Sequence, residues 1–167
     1  EAVAADGFCV SAESNCDSAT PTVYHARSAG VGVIDSCPTG GPGDGDGVLD
    51  PGETAMLPVT LENDGNASLT QVTGTLSIPA GEITVTDPDA AWPDILPGGS
   101  AQSLPDHFGV QVSEAAACGT PLTATVALSY AEGSNGTGFS LPVGEPYELL
   151  LVDEDFSGGI PGSWTVV

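Results

Sequence analysis

The stretch Leu57-Pro58-Val59-Thr60-Leu61-Glu62, followed by Asn63-Asp64-Gly65-Asn66, decides the fold. Leu57, Val59 and Leu61 are apolar while Pro58, Thr60 and Glu62 are not, and a period of two belongs to a strand with one face on a core and the other in water. A helix would scatter the same residues around its circumference. Asn63 to Asn66 tolerate positive φ, and beyond them Val72, Gly74, Leu76 and Ile78 alternate again. The two runs are therefore expected to be neighbouring antiparallel strands. Pro58 has no N–H for a ladder, which asks for an edge or a bulge at that point.

The same period recurs downstream. Ile83 and Val85 form a short strand before Asp87-Pro88-Asp89, and Phe108, Val110 and Val112 form another after Pro105. Leu122, Ala124, Val126, Leu128 and Tyr130 make the longest run; Phe139, Leu141 and Val143 close the series. Upstream, Val31, Val33 and Ile34 lead into Cys37 as a first strand, and only Ser113–Ala117 could be helical. About seven short strands punctuated by turn residues predict an all-β chain built as an immunoglobulin-like antiparallel β-sandwich, with a closed barrel as the competing arrangement.

This divides the chain into three. Residues 1–30 are an N-terminal segment with a small cysteine loop, 31–144 the sandwich, and 145–167 a linker and the first strands of a following domain or an assembly arm. Glu145-Pro146 marks the break, and Glu148–Val152 and Trp164–Val167 are the apolar strands after it.

Composition bounds the partners. Among 167 residues there is one basic side chain, Arg27, against 23 acidic ones, for a net charge of -22. Nucleic-acid and anionic-lipid binding both need Lys or Arg to displace counterions, so neither is expected. No run of about 18 apolar residues could span a bilayer. Glu1–Val10 lacks the basic start and apolar middle of a signal peptide, so the chain reads as a mature soluble segment. The absence of lysine, heavy use of Asp, Thr, Ser and Gly, and an even count of cysteines (Cys9, Cys16, Cys37, Cys118) point to an extracellular protein with two disulfides.

The sharpest constellation is Gly43-Asp44-Gly45-Asp46-Gly47-Val48-Leu49-Asp50-Pro51-Gly52-Glu53. With Gly47 set at the sixth position of an EF-hand loop, Asp44 falls at three, Asp46 at five, the Val48 carbonyl at seven, Asp50 at nine and Glu53 at twelve. A hard cation of the size of Ca2+ takes six to eight oxygens, alternate loop residues point inward, and glycine lets the chain reverse between them. Pro42 occupies the first position and offers no carboxylate, so a water, a carbonyl or an acid from elsewhere, such as Asp35, must complete the shell.

The run Gly43–Thr54, the strand Leu57–Asn63 with its turn, the segment Trp92-Pro93-Asp94-Ile95-Leu96-Pro97-Gly98-Gly99-Ser100 and the closing Leu141-Pro142-Val143-Gly144 resemble the CARDB-type immunoglobulin-like domains of secreted bacterial peptidases and adhesins. The resemblance implies a non-catalytic module, the acidic loop as a calcium site, and a Cys37–Cys118 bridge, which leaves Cys9 and Cys16 to pair locally. Separately, Phe156–Trp164 resembles the start of the jelly-roll domains found beside such modules in cleaved adhesins.

Catalytic patterns are weak. There is no Gly-x-Ser-x-Gly, and His25 and His107 stand in no paired-ligand or triad spacing. Asn66-Ala67-Ser68 and Asn135-Gly136-Thr137 match the glycosylation sequon. The expected function is thus a non-enzymatic, calcium-stabilised extracellular module for spacing, adhesion or attachment, its partners being other domains of the same protein. The competing expectation is a filament subunit that polymerises with copies of itself by strand addition through its terminal segments.

Overall fold

The structure, a computed structural model, describes residues 20–35 and 43–144, together with the backbone at 2–3 and 9–10. Among the described residues every regular element is a strand. Ala2–Val3 (β1) and Cys9–Val10 (β2) pair with each other. The sandwich comprises Ala26–Val31 (β3), Thr54–Leu57 (β4), Val59–Asn63 (β5), Thr73–Ser77 (β6), Ile83–Asp87 (β7), Asp89–Ala91 (β8), Ser100–Gln102 (β9), Phe108–Val112 (β10), Thr120–Tyr130 (β11) and Gly133–Val143 (β12). All pairings are antiparallel.

One layer has the order β12-β11-β6-β8. The other is two ladders, β3-β5-β9 and β4-β10-β7, joined because β4 and β5 are one run interrupted at Pro58. Gly32 donates its N–H to the Pro58 carbonyl at 2.9 Å, and Ile34 bridges Met56, so one flank of the run is followed continuously. On the other flank the partner changes from β10, where Phe108 faces Leu57, to β9, where Ala101 faces Leu61. The proline that lacks a donor sits where that change occurs.

The core fills from both layers as the alternation requires. Ala55, Leu57, Val59 and Leu61 face Leu122, Ala124, Val126 and Leu128, all at most 2 % exposed. Gly74 holds the inward position on β6 because a Cβ there would lie 3.0 Å from the Trp92 ring and 2.9 Å from Val126 Cγ1. The indole uses that space, edge-on to Phe108 at 5.8 Å between centroids, and its Nε1 donates to the Val59 carbonyl at 2.8 Å across the layers. Trp92 is thus a core anchor.

At the β3 and β12 margins the layers are stitched by side chains rather than a ladder. Asn135 Nδ2 donates to the Ala26 carbonyl at 2.8 Å, and Ser28 donates its N–H to Thr137 Oγ1 at 2.8 Å. No backbone register links β3 to β12, so the fold is a sandwich and not a closed barrel.

Several expectations change. The runs 57–63 and 72–78 lie in opposite layers rather than side by side. The reason is Asn63, fully buried, whose Nδ2 donates to the Ala67 and Ile95 carbonyls at 2.8 Å while Oδ1 accepts the Gly65 N–H at 3.0 Å. No residue from Asn63 to Asn66 has positive φ; the segment is a clamped crossover instead of a hairpin turn. The first strand of the sandwich is Ala26–Val31, upstream of the expected Val31–Ile34, since its sides are too evenly wet to alternate. Ser113–Ala117 is a turn closed by Ala116 N–H on the Ser113 carbonyl at 3.0 Å. The short polar strands β8 and β9 and the split at Pro58 raise the strand count above seven. The expected strands at 148–152 and 164–167 lie outside the described residues.

Replacing Asn63 by Ala removes two donated bonds and the acceptor of the Gly65 N–H. We expect a loss of about 2–4 kcal/mol in urea unfolding, against under ~1 kcal/mol for the exposed Thr73→Ala. Equal losses would mean that the crossover is not held by this amide.

Candidate metal centre

The acidic loop enters the structure at Gly43, where the chain passes so close to Asp35 that a Cβ would overlap the Asp35 carbonyl oxygen. Gly45, Gly47 and Gly52 have φ of 82°, 83° and 90°, the left-handed conformation that glycine adopts without steric cost. These reversals fold the carboxylates back onto the loop. Asp46 donates its N–H to Asp44 Oδ1 at 3.1 Å and Val48 donates to Asp46 Oδ1 at 2.8 Å. From outside the loop Asp35, 3 % exposed, accepts the Gly47 N–H at 3.3 Å.

Glu53 works from beneath. It is 7 % exposed; Oε1 accepts the Asp44 N–H at 3.2 Å and Oε2 the Asp50 N–H at 3.0 Å. Its own backbone ties the loop to β10, for Val112 donates to the Glu53 carbonyl at 2.8 Å. Leu49, fully buried, pins the loop to the core, and its carbonyl accepts the Gly144 N–H at 2.8 Å.

The carboxylates meet in two groups that share Asp44: Asp35, Asp44 and Glu53, and Asp44, Asp46 and Asp50. Within each, one oxygen per residue lies within 4.8 Å of the others. A cluster of acidic residues able to hold a metal ion is therefore present. Asp44, Asp46 and Asp50 are together as the loop register expects; Glu53 is grouped with Asp35 and Asp44, with both its oxygens on backbone N–H groups. Val48 occupies the loop between them, its N–H on Asp46; the register assigns a role to its carbonyl. Asp35 is the acid that spacing within the loop could not reveal, since 36–42 separate it from the motif.

Burial, first, and the charges of Asp35 and Asp50 push the Glu53 carboxyl above its ordinary value of 4.5, against the N–H bonds from Asp50 and Asp44. On the far side of the molecule the His25 hydrogen bond, at 2.5 Å, holds Asp64 below the usual carboxylate range.

The cysteine and histidine expectations fall elsewhere. Cys118 is exposed and has no disulfide partner among the described residues; Cys16, Cys37 and the Cys9 side chain lie outside them, as does Pro42. His107 Nδ1 lies 2.7 Å from Ser103 Oγ, but that hydroxyl is buried and also accepts the Val59 N–H at 3.1 Å, which makes the pair part of the core wall. Both sequon amides are engaged, Asn66 Nδ2 with the Pro21 carbonyl and Asn135 Nδ2 with that of Ala26.

The sequence matches no protein-family model and no curated protein. Among solved structures, a family 123 glycoside hydrolase from Clostridium perfringens matches with 12% sequence identity and a TM-score of 0.33. The match covers 57% of this chain and 22% of that enzyme, and a likeness at this level carries no argument about activity.

A raised folded pKa means that protonated Glu53 favours the fold. Its contribution is complete below about 4.5 and is lost as pH rises through the folded value. In chelator, wild-type chain should therefore gain more melting temperature between pH 7 and pH 5 than Glu53→Gln does. Parallel pH profiles would remove Glu53 as the source.

Proposed function

We propose that the chain is a non-enzymatic extracellular β-sandwich module whose acidic loop binds Ca2+, and which serves spacing, adhesion or attachment beside other domains of the same protein. The observation that carries this is the convergence of five carboxylates, Asp35, Asp44, Asp46, Asp50 and Glu53, in two groups sharing Asp44. All of the donors are hard oxygens, which suit Ca2+ or Mg2+ better than zinc or copper. The flexible glycine loop and the number of acids favour the larger ion, because Mg2+ demands a tight octahedron and keeps its waters.

The energetics explain why a cation is useful there. Carboxylates gathered at this spacing repel, and two of them, Asp35 and Glu53, are buried where water screens poorly. A divalent ion turns the repulsion into attraction and locks the loop to Leu49 and β10. An incomplete shell at the position of Pro42 suits a dissociation constant on the order of 10⁻⁴ M, matched to extracellular calcium. The CARDB-type resemblance supports the same reading, and the chain's sole basic residue, Arg27, sits in an ion pair with Glu62 at 2.6 Å. The proposed Cys37–Cys118 bridge would brace this loop, because a Cβ on Gly144 would lie 2.9 Å from Cys118 Sγ and 3.3 Å from Asp50 Oδ1.

At 10 mM Ca2+, about 100 times that constant, linkage stabilises the fold by about 2.7 kcal/mol, or roughly 10 °C in melting temperature for a domain of this size. Asp44→Asn, which removes the charge common to both groups at constant shape, should lose most of that shift. Calcium without effect on wild type, or an undiminished shift in the variant, overturns the reading.

A further inference from the structure

Beside β8 lies an open groove of about 460 Å³, a size that small ligands and single side chains fill. Three segments build it. Thr75 comes from β6, Asp89–Ala91 is β8 itself, and Leu104–Asp106 is a corner tied to β8 by the Leu104 N–H on the Ala91 carbonyl at 2.8 Å. The lining is mainly apolar, from Ala90, Ala91, Leu104 and Pro105, and Leu104 is 46 % exposed. Two exposed carboxylates, Asp89 and Asp106, enter it from different segments. Asp89 is held in place, its Oδ1 accepting the Thr75 hydroxyl at 2.9 Å and its N–H donated to Asp87 Oδ1 at 3.3 Å.

Apolar walls with carboxylates at hand suit one kind of side chain. Lysine lays a four-carbon stem on apolar surface and keeps its ammonium at a polar rim. An anion is repelled by a chain of net charge -22, and a neutral apolar ligand leaves both carboxylates without a counter-charge. The cation does not come from these 167 residues, which contain no lysine. Their single arginine, Arg27, is paired with Glu62 at 2.6 Å and lies 3.8 Å from Asp64. A second groove with two carboxylates, Glu82 and Glu114, is lined mainly by polar groups and gives the stem no apolar bed.

We propose that the groove beside β8 binds a lysine side chain presented by a different polypeptide, its stem on Ala90, Ala91, Leu104 and Pro105 and its ammonium facing Asp89 and Asp106. The apolar bed supplies the contact area and the carboxylates select the cation.

Titration of acetyl-Ala-Lys-Ala-amide into the isotope-labelled full chain, followed by amide chemical shifts, tests this at physiological ionic strength, where attraction to the net charge is screened beyond about 8 Å. Shifts should concentrate at residues 74–75, 89–91 and 104–106. Asp89→Asn/Asp106→Asn should weaken binding about fivefold, while Glu114→Gln leaves it unchanged. Asparagine keeps an acceptor for Thr75 and tolerates the left-handed backbone of Asp106, φ 73°, so the double variant keeps the fold. The same peptide with norleucine for lysine keeps the stem, lacks the charge and should bind about fivefold more weakly. Shifts centred on the acidic loop, or equal weakening by Glu114→Gln and the double variant, mean attraction to net charge alone and overturn the proposal. Equal binding of the norleucine peptide overturns it too.

Discussion

A single indole N–H, donated by Trp92 to the Val59 carbonyl across 2.8 Å, ties the layers together where the central strand is weakest. Pro58 divides that strand, and a strand that cannot donate at one residue must change partners or end there. Here it changes partners, from β10 to β9, and Val59 is the residue left to be held. Its N–H goes to Ser103 Oγ and its carbonyl accepts both the Ser103 N–H at 2.9 Å and the Trp92 indole. Gly74 opposite exists to admit the ring. Few aromatics serve this core, so one well-placed tryptophan fixes the spacing of two layers otherwise filled by Val, Leu and Ala.

The acidic loop is attached to the same frame at a different point. Leu49 anchors it by burial, and Glu53 anchors it by accepting two of its N–H groups. The loop is therefore preorganised with its charges together, and this opposes folding in the absence of a counter-charge. Burial that raises the Glu53 carboxyl and burial that brings Asp35 into contact with Asp44 are one effect. A surface acidic turn could spread all its charges into water; here Asp44 and Asp46 stay exposed while Asp35 and Glu53 are held buried beside them.

Much of the fold was legible because strand burial repeats every second residue. Leu57-Val59-Leu61 and Leu122 to Tyr130 announced inward faces that the structure shows buried. The acidic cluster from Asp44 to Glu53 was legible for a similar reason, since loop residues close in sequence are close in space. Asp35 could be offered only as an acid from outside, because no local pattern says which distant carboxylate a loop will meet. β8 and β9 were missed because short, polar edge strands carry no apolar alternation. The pairing of 57–63 with 72–78 was misjudged because Asn63 resembles a turn residue until its amide is seen buried among carbonyls.

By itself the sequence determined the class of element and the face each strand buries, through the period of its apolar residues, and it determined a net charge of -22. Only the tertiary structure decided which strands are neighbours, that the β3 and β12 margins are closed by Asn135 and Thr137 rather than a ladder, and that Asp35 joins the loop carboxylates. The physical reason is that periodicity is local, set by successive Cβ directions along one strand. Pairing and ligand convergence depend instead on buried polar groups finding partners far along the chain, and each such partner is chosen by the whole packed core.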